Sequence, residues 1–401
     1  MTNRTPTVVI KRFGRRPSAA EVRRAVRAMV RRLGGMKRFV KPTSRVLIKP
    51  NLGSPASLTT GCVTDMRVLE EVIALVKKAC PREVFLAEGA LGPASSAEQF
   101  RVTGAARVAA RQSVELIDLK VGRYVKVPVP GGRAVRSIEI GEAALRAAVV
   151  IDVAALKAFI DDEGAEKEHL LFSLGMKNLK GLISNASRAA FHRAEVVQAI
   201  VDLTRVITPR LTIIGGLYAA IGGDWRGSVP GAPLNVLLAS DNVVAADAAA
   251  AALLGLDPWK VHQIRYAAER GLGPASFDEV EIVAPQPLDQ IAADLAQKIA
   301  RARRRRTTAA AGPVIIQRAA CSGCKLAVAV ALNRLGSRAA RLSRWQVLMG
   351  QKVTPPTRNG RYLLVGNCPS RFKVRGVRIR GCPPTADAVY DAFRAQVARA
   401  R

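Results

Sequence analysis

Four cysteines in the last part of the chain have the types and spacing that a metal centre requires. Cys321 and Cys324 form the pair CSGC, Cys368 closes the motif GNC, and Cys382 stands in the motif GCPP. A gap of 43 residues separates the pair from Cys368, and 13 residues separate Cys368 from Cys382, so the last two cysteines do not form a second zinc knuckle. Four thiols in a reducing compartment favour a metal centre over disulfide bonds.

Short apolar strands precede these cysteines and predict how they come together. We expect strands over residues 313–317, 361–366 and 377–380, with helices over 325–335 and 385–400. If the strands are parallel, their carboxyl ends share one edge of the sheet, and the four thiols meet there. A 4Fe–4S cluster suits thiolates on separate strand ends because it is larger than a zinc ion. A structural zinc ion and thiols without a metal remain the alternatives.

The cysteine pattern resembles the proximal-cluster region of nickel–iron hydrogenase small subunits and of the related subunit of respiratory complex I. The resembling motifs are CSGC, GNC and GCPP, all after residue 313. In those proteins an early cysteine motif, a central G-x-C motif and a late G-C-P-P motif ligate a 4Fe–4S cluster. The resemblance therefore implies the same cofactor on Cys321, Cys324, Cys368 and Cys382.

A second set of candidate residues lies in the first part of the chain, on loops that follow predicted strands. Amines and amides converging there would bind a phosphate or carboxylate, whereas a carboxylate and an imidazole could transfer protons. The candidate ligand-binding residues are Lys49, Asn51, Lys157, Asn178 and Asp247, and the candidate catalytic residues are Glu88, Lys177 and His192. The alternative interpretations are solvated lysines, a loop cap for Glu88, a structural histidine, and a buried cap or ion-pair partner for Asp247.

Strands and helices alternate along this first part, in the βαβ order of an open α/β sheet. We predict a large mixed or mostly parallel α/β domain over residues 1–285 and a basic linker over 286–312. A small α/β domain with the cysteine motifs, the iron–sulfur domain, is predicted over 313–401. Polar residues after strands then lie at the edge where such sheets bind ligands.

The order of motifs in the first domain resembles a bacterial and archaeal family called domain of unknown function 362. The motifs are VLIKPNL, TTG, LAEG, GMKNLKG with a trailing histidine, LLASDNVVAADAAAAALLGLDP and GLG, over about residues 8–285. Members often join this domain to an iron–sulfur segment. The resemblance implies an architecture and candidate positions, but no reaction.

The amino-acid composition limits the kinds of molecule that this protein is expected to bind. The net charge is +32, yet aromatic residues make up 4% of the chain, so stacking platforms for nucleic acid are scarce and we expect no specific nucleic-acid binding. No apolar run is long enough to span a bilayer, and we expect a cytoplasmic protein. The leading hypothesis is a redox protein that transfers electrons between a 4Fe–4S cluster and a redox partner or small anionic ligand at the first domain. The first alternative is a non-redox module with zinc or a structural cluster, whose basic surface docks an anionic partner. The second is an enzyme that works at the cleft of the first domain and whose cluster is vestigial or regulatory.

Overall fold

The computed structural model describes residues 4–53, 58–90, 95–158, 172–221, 231–307, 312–318, 320, 322–355, 357 and 360–399. The chain forms two compact units, a larger one that contains most residues up to Ala302 and a smaller one that contains Arg303–Arg401. Both units combine a sheet with helices, which confirms the predicted α/β class. No helix in the described ranges is long and apolar enough to cross a membrane.

The strands of the larger unit are β1 (Thr7–Arg12), β2 (Arg45–Pro50), β3 (Glu83–Glu88), β4 (Glu115–Asp118), β5 (Tyr124–Pro128), β6 (Ser137–Gly141), β7 (Val149–Ala158), β8 (Phe172–Ser173), β9 (Leu211–Ile221), β10 (Val236–Ser240) and β11 (Glu281–Val283). Its helices are α1 (Ala19–Arg32), α2 (Met36–Phe39), α3 (Met66–Lys78), α4 (Ser96–Thr103), α5 (Ala105–Gln112), α6 (Glu142–Leu145), α7 (Gly175–Asn178), α8 (Asn185–Arg193), α9 (Val196–Val206), α10 (Val243–Leu253), α11 (His262–Ala268) and α12 (Leu288–Thr307).

The large sheet has the strand order β11-β1-β10-β9-β7-β2-β3-β4, with β8 beside β7. Strands β9, β7, β2, β3 and β4 run parallel to one another, whereas β10 is antiparallel to β9. All ten residues of β7 are buried, as expected for a central parallel strand covered on both faces. Strands β5 and β6 form a separate antiparallel hairpin.

Helices cover both faces of this sheet because strand side chains alternate between the faces. On one face, α1, α3 and α5 pack against Val9, Ile151 and Val153. On the other face, α9, α10 and α11 pack against Val8 and Ile10 and against alanine and leucine side chains of β7. The large sheet therefore has a hydrophobic core on each face, and a further cluster around Leu47, Phe85 and Val150 covers the rest of the sheet.

The strand order places a change of direction at the centre of the sheet. From β2 the chain continues to its neighbour β3 on one side, whereas from β7 it continues to β9 on the other side. In open α/β sheets the carboxyl ends of two such strands flank a crevice where ligands bind. A ligand site is therefore expected at the ends of β2 and β7.

The stretch predicted as a linker is largely helical. Helix α12 occupies Leu288–Thr307, and its side chains Ile291 and Leu295 are buried in the core below α10 and α11. Alanine, leucine and arginine are good helix formers, so the basic composition of this stretch is compatible with a helix. The larger unit thus continues beyond the predicted boundary at residue 285.

The smaller unit is a parallel four-stranded sheet with the order β12-β13-β14-β15. Its elements are β12 (Val314–Gln317), α13 (Ser322–Leu335), β13 (Gln346–Met349), β14 (Tyr362–Val365), β15 (Gly376–Ile379) and α14 (Ala386–Arg399). The predicted strands are present and parallel, and β13 is a fourth strand that the sequence interpretation missed. Helices α13 and α14 pack on this sheet through Val328, Phe393 and Val397.

Candidate functional site

A buried ion pair joins the ends of β2 and β3. The Lys49 ammonium is 0% exposed and donates to Glu88 Oε2 at 2.7 Å and to the Pro50 carbonyl at 2.5 Å. Glu88 also accepts hydrogen bonds from the backbone N–H groups of Leu52 and Gly89. Since its charge is neutralised, Lys49 does not present an isolated cation to an anionic ligand.

Gly181 approaches this pair so closely that a side chain there is excluded. A Cβ atom at Gly181 would lie 2.6 Å from Lys49 Nζ and closer still to Glu88 Oε1. The Gly181 carbonyl also accepts a hydrogen bond from the Gly89 N–H at 3.0 Å. The last glycine of GMKNLKG therefore lets the backbone of this motif pack directly against the ion pair.

Asn178 connects the ion pair to a carboxyl group in β7. Its amide nitrogen donates to Asp152 Oδ1 at 2.7 Å and to the Lys49 carbonyl, while its oxygen lies 3.4 Å from Lys49 Nζ. Asp152 is 0% exposed, and burial raises its pKa well above the ordinary value of an aspartate. The sequence interpretation missed Asp152, although an acidic residue inside the apolar run VVIDVA is itself a signal.

Asn51 and Lys157 form a second buried contact, at the ends of β2 and β7. Lys157 Nζ donates to Asn51 Oδ1 and to the Cys62 carbonyl, each at 3.0 Å. The Asn51 N–H donates to the hydroxyl of Thr64 at 2.7 Å. Burial lowers the pKa of Lys157 to about 8, so the amine can exchange a proton near neutral pH.

Asp247 has a structural position behind α7. Its carboxylate accepts from the N–H groups of Gly175 and Met176, at 2.7 and 3.1 Å, and from the side chain of Gln263 at 3.3 Å. Burial raises its pKa to about 7 despite these three donors. This geometry is the buried cap that the sequence left open as an alternative.

The remaining predicted residues of the larger unit lie nearer the surface. Lys177 is half-buried in α7, and His192 is exposed near the end of α8. The Nε2 atom of His192 lies 3.4 Å from Nζ of Lys180, a residue of the same GMKNLKG motif. Lys49, Glu88 and Asn178 are thus brought together, as are Asn51 and Lys157, whereas Asp247 and His192 lie at other positions.

In the smaller unit, parallel strands bring the described cysteine motifs to one edge. Cys324 is buried in the first turn of α13, and its Sγ would lie 2.9 Å from a Cβ atom at Gly366, two residues before Cys368. The loops after β14 and β15 are tied together, because the Asn367 N–H donates to the Gly381 carbonyl and the Gly381 N–H donates to Asn367 Oδ1. Cys368 and Cys382 directly follow these two tied residues.

The motifs that contain Cys324, Cys368 and Cys382 therefore lie at one edge of the small sheet. Within the described ranges, however, no three His, Cys, Asp or Glu side chains are grouped closely enough to hold a metal ion. Cys321, the fourth predicted ligand, lies outside the described residues. The ligand set therefore stays a prediction.

The larger unit contains a stretch that is similar to a known protein family. Residues 46–252, more than half of the chain, match the model of the family described as Domain of unknown function (DUF362). The chain belongs to this family. The DUF362 match confirms the family predicted from the motifs, over a shorter range than 8–285. It contains Lys49, Glu88, Asp152 and Asn178, while the cysteine motifs after residue 313 lie outside it.

A thylakoid-associated protein of Synechocystis sp. is a relative of this DUF362 protein. The two sequences are 27% identical over 262 residues, which cover 63% of this chain and 76% of the relative. The likeness to hydrogenase small subunits in the cysteine region remains a prediction from the motifs alone.

Proposed function

We propose that this DUF362 protein is a redox protein whose smaller unit binds a metal centre on Cys321, Cys324, Cys368 and Cys382. In the leading version the centre is a 4Fe–4S cluster, which supplies one-electron oxidation and reduction when bound. Its electrons go to a redox partner or small anionic ligand at the larger unit. The observation that carries the proposal is the convergence of the Cys324 helix start with the GNC and GCPP loops at one sheet edge.

The charge around these cysteines supports a thiolate centre. Between Asp294 and Asp387 the sequence contains no aspartate or glutamate, but many lysines and arginines. Positive surroundings favour the thiolate form of cysteine and stabilise the negative charge of a metal–thiolate centre. The proposal places the protein in the cytoplasm, where thiols remain available to a metal.

The residues of the larger unit have defined parts in this proposal. The Lys49–Glu88 pair and Asn178 fix the ends of β2 and β3, so that loops at the change of strand direction keep their shape. Lys157 holds the loop after β2 through Asn51, and its lowered pKa would let it accept or release a proton as a ligand is reduced.

The second candidate is a non-redox module in which zinc takes the place of the cluster. The same acid-free stretch and the net charge of +32 favour it, because a basic surface attracts an anionic partner. In this version the metal stabilises the smaller unit, as structural zinc ions do in small domains.

Metal analysis separates the two candidates. The protein would be purified without oxygen and assayed for iron, acid-labile sulfide and zinc, beside the variants Cys368→Ala and Cys80→Ala. Cys80 is an exposed thiol of the larger unit and serves as the matched control. About four irons and four sulfides per polypeptide, lost in Cys368→Ala and kept in Cys80→Ala, would support the cluster. One zinc without sulfide would favour the second candidate, and no metal in the unmodified protein would refute both.

A further inference from the structure

A group of basic side chains lies beside the Lys49–Glu88 pair and has no part in the proposed redox function. We define this cationic cluster as Lys120, Lys180, Arg188 and His192. Arg188 and Lys180 are 7% and 8% exposed, Lys120 is half-buried, and His192 is exposed. The cluster therefore extends from the interior of the larger unit to its surface.

Backbone hydrogen bonds fix the position of the cluster. The Arg188 guanidinium donates through Nε to the Lys180 carbonyl at 3.1 Å and through Nη2 to the Gly89 carbonyl at 2.9 Å. These two bonds attach α8 to the loop after β3 and to the motif GMKNLKG. Lys180 and Arg188 are therefore held as neighbours, although both are positively charged.

Within the cationic cluster, the ammonium of Lys180 is unusual because it is buried and has few polar neighbours. Its polar neighbour is His192 Nε2 at 3.4 Å, and the ring of Phe191 lies 5.9 Å away. Across the described ranges it contacts no carboxylate. A buried ammonium without a counter-ion is costly, and proteins keep such groups chiefly where a ligand or a reaction uses them.

The neighbouring charges add to this cost. Burial and the charge of Arg188 lower the pKa of Lys180 to about 7, and the same two causes lower the pKa of Lys120, which Asp118 partly offsets. Glu88 acts on Arg188 in the opposite direction, but burial still lowers the pKa of Arg188. An anion bound at Lys180 would offset the repulsion between Lys180 and Arg188.

We propose that the cationic cluster is an oxyanion-binding site, which takes the phosphate or carboxylate group of a ligand of the larger unit. Lys180 provides a point charge, and the charge of Arg188, whose guanidinium is held by backbone carbonyls, lies beside it. Both charges favour phosphate and carboxylate oxygens. His192, at the exposed end of the cluster, completes the site when protonated. This inference does not depend on the metal centre of the smaller unit.

Anion titration tests the site. Isothermal titration calorimetry at constant ionic strength would measure binding of inorganic phosphate, and separately of succinate, to the unmodified protein, Lys180→Met and Lys41→Met. Lys41 is an exposed lysine whose ammonium contacts the Lys37 carbonyl, so its variant removes the same net charge elsewhere. We expect Lys180→Met to weaken binding at least about tenfold and Lys41→Met to leave it unchanged.

Equal binding by both variants would attribute the affinity to diffuse attraction by a protein of net charge +32, and would overturn the site. Absence of binding of both anions to the unmodified protein would also overturn it. An NMR titration of lysine side chains in the unmodified protein removes any dependence on the folding of the variant. Phosphate should raise the pKa of Lys180 above its value near 7, and an unchanged pKa at saturating phosphate would refute the proposal.

Discussion

The substitution Glu88→Gln keeps the shape of the side chain and removes the charge that neutralises Lys49. The Lys49 ammonium is 0% exposed, so it would remain charged in the interior or be forced to lose its proton. One Glu88 oxygen accepts from Lys49 and Leu52, and the other accepts from the Gly89 N–H. A glutamine must turn its NH2 group toward one of these donors, so a hydrogen bond is lost as well.

Removing one member of a buried ion pair typically costs 3 to 5 kcal/mol, and the retained acceptor of glutamine places the expected loss near the lower end, at about 3 kcal/mol. Hydrogen exchange followed by mass spectrometry measures this loss within the larger unit. Peptides covering β2 and β3 should exchange roughly a hundredfold faster than in the unmodified protein.

Two further variants test the origin of the effect. Glu98→Gln, in an exposed pair with Arg101, is the matched control and should leave exchange unchanged. The double variant Lys49→Met with Glu88→Gln should regain part of the loss because no unpaired charge is then buried. If Glu88→Gln exchanges no faster than Glu98→Gln, the reasoning about this ion pair is wrong.

Two other predictions concern one residue in each unit. Gly366→Ala should reduce the metal content of the smaller unit without removing a thiol. The φ angle of Gly366 is +93°, and a methyl group at this position would press on Cys324 Sγ. Gly336→Ala is the control, because Gly336 also has a positive φ, +55°, but has open space around it. Asp247→Asn should remove a pH dependence of stability. Burial raises the pKa of Asp247 to about 7, so the folded state holds a proton that the unfolded state releases near pH 4. The free energy of unfolding of the unmodified protein should therefore fall from pH 4 to 7, by as much as about 4 kcal/mol, in urea titrations.

Clear results would contradict these two predictions. Equal metal loss in both glycine variants would mean that backbone strain, and not contact with Cys324, causes the loss. The Asp247 prediction would be contradicted if the free energy of unfolding changed equally with pH, between pH 4 and 7, in Asp247→Asn and in the unmodified protein. Such a result would mean that the carboxyl group ionises in the folded protein as readily as in the unfolded state.

Much of the fold could be predicted from local patterns. Short apolar strands separated by helices predicted parallel sheets, and the parallel arrangement of β12, β14 and β15 confirms this for the smaller unit. Strand β13, with the sequence QVLM, was missed because it directly follows an arginine-rich stretch. Helix α12 was assigned to a linker because its charge was given more weight than its helix-forming composition.

The candidate site was predicted in part. Polar residues were expected to meet at strand ends, and among those named Lys49, Glu88 and Asn178 are in contact. It could not predict which charges neutralise each other, because Lys49 and Glu88 are 39 positions apart in sequence and pair only through the sheet register. For the same reason Lys180, a buried lysine that contacts no carboxylate among the described residues, was not distinguished from the other lysines of the chain.

Helix α10 carries a constraint of a different kind. Its residues from Val243 to Ala251 are all at most 1% exposed, so this part of the helix has no solvent side and its alanines are selected by available volume. Interiors of this density do not accept an added methylene group without displacing neighbours. In a survey of all single substitutions, every position of this segment should be sensitive to larger side chains. A surface helix would instead show sensitive positions only every three to four residues. The small side chains therefore fix how near this helix lies to the central strands, and thereby where Asp247 holds the start of α7.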